Sequence, residues 1–203
     1  MRAVTQFVAR QPLGTIKARD LASLYANPAR DVRRLQKLGL LHRLAHGYYC
    51  AVPAQYDPET WQPSIEAAAV GIATAIHGER VPILEGLSAA RMHRALPRAV
   101  ATAWVATPAQ HRSIRLADRP GEVRFAKRDV AALDAILIET DLGPALATTP
   151  EQTVLDLAKR GPDTTLTDEA IRALLPRCDV ERMTEIADAQ WMKATLERLR
   201  EYQ

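Results

Sequence analysis

Long hydrophobic runs are missing from this 203-residue sequence. No uncharged apolar stretch approaches the ~20 residues a membrane-spanning helix needs. The longest, Ala67 to Ile76, is short and rich in alanine. The first ten residues carry no apolar segment followed by a small-residue cleavage site, so a cytoplasmic protein without a signal peptide is expected. Cysteine is scarce. Cys50 and Cys178 lie far apart, form no CxxC pair and make a poor zinc site, so both are expected as reduced thiols. Phosphate-cradling and hydrolytic signatures are absent too: there is no GxxxxGK[ST], no GxGxxG, no HExxH and no GxSxG. The five histidines, His42, His46, His77, His93 and His111, never fall at metal-ligand spacing. Each is expected as a surface or hydrogen-bonded residue, with no metal, no cofactor and no catalytic residue.

What remains is the composition of a folded chain, 47% hydrophobic and 25% charged, with no long biased tract. The length suits one large domain or, slightly better, two small ones. Net charge is only +3, but it is unevenly placed. Residues 1–55 carry nine Lys and Arg (Arg2, Arg10, Lys17, Arg19, Arg30, Arg33, Arg34, Lys37, Arg43) against Asp20 and Asp31, a net of +7. The remaining 148 residues carry a net of −4. A basic module joined to a mildly acidic body points to a reader of polyanions.

The basic module has the order of a winged helix-turn-helix. Ala3, Val4, Phe7 and Val8 recur at helical spacing, so residues 2–10 are expected as a short amphipathic helix. Gln11 to Gly14 breaks it, and Thr15-Ile16 reads as a brief strand. A second helix is expected over Lys17 to Leu24, burying Leu21 and Leu24, although Lys17 is a poor N-cap. After a turn at Ala26-Asn27 comes a third helix, with Asn27 as N-cap, Pro28 at its first position and Gly39 as its stop. On a helical wheel Val32, Leu35 and Leu38 share one side. Arg30, Arg33, Arg34 and Lys37 fall on the other, at i, i+3, i+4, i+7. Leu40 to Leu44 and Gly47 to Val52 then read as a hairpin turning at Ala45-His46-Gly47, with Arg43 and His46 near its tip. A cationic helix backed by leucines and followed by a hairpin is the pattern of a recognition helix and its wing. Arg30, Arg33 and Arg34 are placed to reach guanine edges or phosphates, Lys37 and Arg43 to hold phosphate.

The expected class is α+β: a winged module over 1–55, a linker at 56–63, and a mixed α/β domain over 64–203 with a small sheet and a long C-terminal helix. Helices are expected at Ile65–Ile76 behind the cap Ser64, at Leu87–His93, at 150–159 ending on Gly161-Pro162, and from Thr167 to about Leu175. The last runs from 180 to about 201 behind Asp179. Strands are expected at Ala99–Ala106, Ser113–Leu116, Glu122–Ala126, Ala135–Thr140 and Leu142–Ala147. The apolar stripe of the last helix is expected as core; the alternative is a surface for a partner protein or a second copy, with Trp191 as its anchor. Acids such as Glu122, Glu139 and Asp141 fall in strands and loops. Glu122 with Lys127 comes nearest to a nuclease pair, but that spacing does not put both side chains on one face of a strand.

Three segments resemble the AbiEi antitoxins of type IV toxin–antitoxin systems. They are Gly39-Leu40-Leu41-His42-Arg43 with His46-Gly47-Tyr48-Tyr49 after the basic helix, Leu87-Ser88-Ala89-Ala90, and Thr148-Thr149-Pro150-Glu151-Gln152-Thr153-Val154-Leu155-Asp156-Leu157-Ala158. The resemblance implies an N-terminal winged helix that binds inverted repeats in its own promoter, a task that falls on Arg30, Arg33, Arg34 and Lys37. It implies a second domain that opposes a nucleotidyltransferase-type toxin, with or without direct contact. Inverted repeats suggest two copies, a dimer formed on double-stranded DNA. A ligand-responsive regulator and a DNA-processing nuclease are the alternatives.

Overall fold

The computed structural model describes residues 2–160 and 165–202. The chain opens with α1 (Arg2–Ala9), which buries Val4 and Val8 as its spacing predicts. β1 (Thr15–Lys17), β2 (Leu41–Ala45) and β3 (Tyr48–Ala51) form a small antiparallel sheet in the order β1-β3-β2. Between β1 and β2 lie a 3-10 helix (Ala18–Ser23) and α2 (Pro28–Lys37). Val4, Val8, Ile16, Leu21, Val32, Leu35, Leu41 and Tyr49 make one apolar cluster beneath them.

Two expectations fail here. The second helix is a 3-10 segment of six residues, and it buries Leu21 but leaves Leu24 40% exposed. The carboxylate of Asp20 accepts from the backbone N–H of Lys17 at 2.8 Å, which supplies the start that Lys17 itself lacks. With one buried side chain there is little to hold a longer helix. Leu38 is likewise 49% exposed instead of buried with Val32 and Leu35. The helix closes in a Schellman turn, with Gly39 at φ +68°, Gly39 N–H on Gln36 O (2.9 Å) and Leu40 N–H on Leu35 O (3.0 Å). In that turn it is Leu40 that folds back onto the core, and Leu38 is left on the rim.

The rest is built on α3 (Ile65–His77), capped by the Ser64 hydroxyl, which accepts from Ala67 N–H at 3.3 Å. The helix is buried for ten residues because it is covered on both sides. One side is a six-stranded mixed sheet of β4 (Ile83–Leu84), β5 (Thr102–Thr107), β6 (Ile114–Arg115), β7 (Glu122–Lys127), β8 (Ala135–Thr140) and β9 (Gly143–Thr148), in the order β6-β7-β5-β4-β9-β8. The other is the small sheet. Leu44, Ala45 and Cys50 join Ile65, Ile72, Val105 and Phe125 in one core. Gly71 makes the approach possible, since a Cβ there would sit 2.6 Å from Thr15 Oγ1. A further bridge pairs Ala45 with Leu116, and Ala117 N–H donates to Leu44 O at 2.8 Å.

On the far side α4 (Gly86–Met92), α5 (Pro150–Arg160), α6 (Thr165–Leu174), α7 (Val180–Ala189) and α8 (Lys193–Leu199) enclose a second core around Leu155, Ile171, Leu174, Met192 and Leu199. The expected stop of α5 at Gly161-Pro162 lies outside the described residues. β4 was not foreseen, two residues being too few to show alternation. The single long C-terminal helix is two. α7 ends at Ala189 with Gln190 as its C-cap, Trp191 takes φ +58°, and Met192 N–H returns to Ala187 O at 2.7 Å. This is again a Schellman turn, with tryptophan where glycine is usual. It drops Met192 into the core at 2% exposure and leaves Trp191 93% exposed.

Candidate nucleic-acid interface

α2 starts where Asn27 Oδ1 accepts from Arg30 N–H at 3.2 Å and Pro28 fills the first position. Val32 and Leu35 are buried at 1% and 3% and lock the rotation of the helix. That rotation turns Arg30, Arg33, Arg34 and Lys37 outward, all four exposed. Among the described residues none of the four makes an ion pair with a carboxylate. Together with Asn27, Ala29 and the exposed Leu38 they line an open furrow of about 520 Å³. Asp31, the acid of this helix, is half-buried on a different face.

The hairpin of β2 and β3 follows directly, and α2 packs on β2. Gly47 at φ +81° makes its turn. Arg43 and His46 meet there, with Nη2 and Nδ1 3.5 Å apart. His46 is exposed. Arg43 is half-buried, and its buried Nε has no hydrogen-bond partner among the described residues. Around the turn the structure gathers groups whose nearness the sequence does not signal. Lys17 and Arg19 line a second furrow with Gly47, Tyr48 and His111, because Ala18 N–H is bonded to Gly47 O at 2.9 Å. Arg115, exposed on β6, sits one residue from the Leu116 bridge to the hairpin.

Besides the backbone bridge at Ala45 and Leu116, a polar knot of side chains ties the hairpin to the body. His42 Nε2 and Asp118 Oδ2 are 2.8 Å apart, and Arg119 Nη2 donates to the same oxygen at 2.9 Å. Burial pushes the Asp118 carboxyl up. The hydrogen bonds from His42 and Arg119, with the charges behind them, outweigh that and hold it well below the usual carboxylate range. Gln62 Nε2 donates to Asp118 O and Arg119 Nη2 to Pro63 O, so residues 62–63 are held in the same knot.

Elsewhere the polar groups read as structural. His93 Nε2 is 2.7 Å from Thr148 O, and His111 Nδ1 is 2.7 Å from Arg112 O. His77 titrates below its ordinary value because of burial and then the nearby His111 and Lys17. Glu122 accepts from Arg124 Nε at 2.6 Å, and Asp141 accepts from Ser64 N–H at 2.7 Å. Buried Glu85 and Asp156 share Arg128, each at 3.1 Å, which clamps the large sheet to α5. No group of three or more His, Cys, Asp and Glu gathers among the described residues. No helix there is long and apolar enough to cross a membrane. Cys50 is buried and Cys178 half-buried, and the two are unbridged.

The class these features define is a mixed α+β protein. A small three-stranded antiparallel sheet with helices carries an exposed cationic ridge, and it is packed on a six-stranded mixed sheet and a helical region. A solved structure shares this arrangement, the crystal structure of the RV2827C protein from Mycobacterium tuberculosis. Its TM-score is 0.58 at 18% identity, over 98% of this chain and 76% of that one. That likeness establishes a common fold. No protein-family pattern matches the sequence, and no curated protein is similar to it in sequence.

Proposed function

We propose that the chain is a winged-helix DNA-binding repressor of the antitoxin type, with α2 as recognition helix and the β2–β3 hairpin as wing. The observation that carries this reading is the ridge of Arg30, Arg33, Arg34 and Lys37. It is exposed, turned outward by two buried anchors, and among the described residues spends no charge on a carboxylate. A helix end carrying guanidiniums fits a major groove, where they reach guanine edges or phosphates. Arg43 and His46 at the hairpin turn, with Lys17, Arg19 and Arg115 beside it, extend the basic surface toward the flanking backbone. Inverted repeats in the operator would recruit two copies.

The antitoxin part rests on the three segments that resemble AbiEi proteins. They fall in elements that hold the fold together. Ser88 Oγ accepts from Trp104 N–H at 2.8 Å and ties α4 to β5. Thr149 Oγ1 accepts from Gln152 N–H at 3.3 Å at the start of α5. A nucleotidyltransferase-type toxin is the proposed functional partner, with Trp191 as the surface anchor to test. The experiment is a gel shift on the chain's own promoter at two salt concentrations, with co-expression of a neighbouring nucleotidyltransferase scored for growth rescue. Binding should fall steeply with salt, as phosphate contacts require. Binding indifferent to salt, or absent, refutes the DNA reading, and failure of rescue refutes the antitoxin reading alone.

A further inference from the structure

We infer that the outer edge of β8 is a self-association surface, pairing antiparallel with the same strand of a second copy. β8 is the last strand of the large sheet, and among the described residues nothing pairs with its outer side. Its sequence, Ala-Ile-Leu-Ile-Glu-Thr, has none of the proline, lysine or bulge that usually guards a free edge. Ile136 and Leu137 are 43% and 49% exposed, and by alternation they lie on opposite faces of the sheet. A ligand on one face would cover one of them, whereas a strand added at the edge flanks both.

The register follows from the backbone. Pro144 stands opposite Glu139 and has no N–H to give. The Glu139 row is therefore the one whose backbone groups point away from β9, and Ala135, Leu137 and Glu139 present theirs to the free edge. A twofold axis through Leu137 pairs it with its own copy, sets Ala135 against Glu139, and sets Ile136 against Ile138 on the other face. The large apolar side chains, Ile136, Leu137 and Ile138, meet one another, each Glu139 faces a small alanine, and no acid faces an acid. A register shifted by one residue along the partner would turn the wrong backbone groups to the edge. Two further exposed apolar residues, Val180 and Trp191, sit on α7 and its end. That helix is pinned to the approach of β8 by Arg182 with Asp134 at 2.6 Å and by Gln190 Nε2 with Ala132 O at 2.9 Å.

The test uses the full chain without DNA, so it stands or falls apart from the reading of α2. Sedimentation equilibrium should show a reversible dimer at about 50 µM, and Leu137→Arg should weaken it about tenfold or more with an unchanged thermal melt. Under mild oxidation Leu137→Cys should cross-link to itself. Glu139→Cys should not, since in this register it lies about 13 Å from its own copy; mixed with Ala135→Cys it should. The unsubstituted chain serves as control for Cys50 and Cys178. A monomer at every concentration, a Leu137→Arg chain that associates as before, or equal self-linking at 137 and 139 overturns the proposal.

Discussion

A guanidinium without a carboxylate neighbour keeps its charge for something outside the chain, and that sets what single substitutions should do. Arg33 is exposed, at the centre of the ridge and outside the apolar cluster beneath it. Arg33→Ala should leave the melting temperature unchanged and weaken operator binding about tenfold or more, or relax its specificity. Gel shifts on the operator and on a scrambled duplex separate those outcomes. The thiols are placed in the opposite way, Cys50 buried and Cys178 half-buried. Burial pushes Cys178 up to about 12, with Glu151 adding to the rise and Arg177 opposing it. Burial first, then Asp118, drives Cys50 well above the ordinary thiol range. The reactive species is the thiolate, so neither should be alkylated appreciably by iodoacetamide at pH 7 in the folded protein. Mass spectrometry before and after unfolding checks this.

Helix ends decide more here than helix middles. The turns after α2 and after α7 are the same device, an αL residue followed by a leucine or methionine returned to the core. The first has Gly39 at the αL position and the second has Trp191. A bulky side chain at positive φ costs about 1 kcal/mol. At 93% exposure the indole recovers little of that through packing. Trp191→Gly should therefore stabilise the isolated protein by about 1 kcal/mol, read as a higher midpoint in urea. Strain kept at an exposed aromatic residue is the mark expected of a partner anchor, and the same variant should lose growth rescue if the toxin docks there.

At the scale of the whole molecule the hairpin and the body are one construction, and Asp118 is the knot. Its folded-state carboxyl is depressed, so the stability it contributes is fully present above the ordinary Asp value of ~3.9 and is lost as pH falls from there toward the folded value. Asp118→Asn removes that contribution at neutral pH. Amide exchange in β2 and around Ala117 should quicken in the variant at pH 7. Its stability should fall less than the parent's between about pH 4 and pH 2. Equal acid limbs in the two proteins would show that the Asp118 knot adds nothing to the hold on the hairpin.

The basic ridge, its two buried anchors, the cap at Asn27 and the hairpin after it were legible in residue order. Each depends on neighbours within a turn or two of helix or strand. The strands β5, β7, β8 and β9 announced themselves by composition and alternation for the same reason. What lay beyond reach depended on residues distant in sequence or on backbone closure. Leu38 and Leu40 exchange roles because a Schellman turn, not helical periodicity, sets the last apolar contact. The break at Trp191 is invisible in an amphipathic pattern that continues past it. Local order thus determined which side chains could face a partner, since periodicity assigns faces. Only tertiary packing decided which loops and strands stand beside the ridge, that Asp118 ties the hairpin down, and that β8 ends the sheet with its edge open. Those facts belong to contacts between segments up to a hundred residues apart, and no local propensity encodes them.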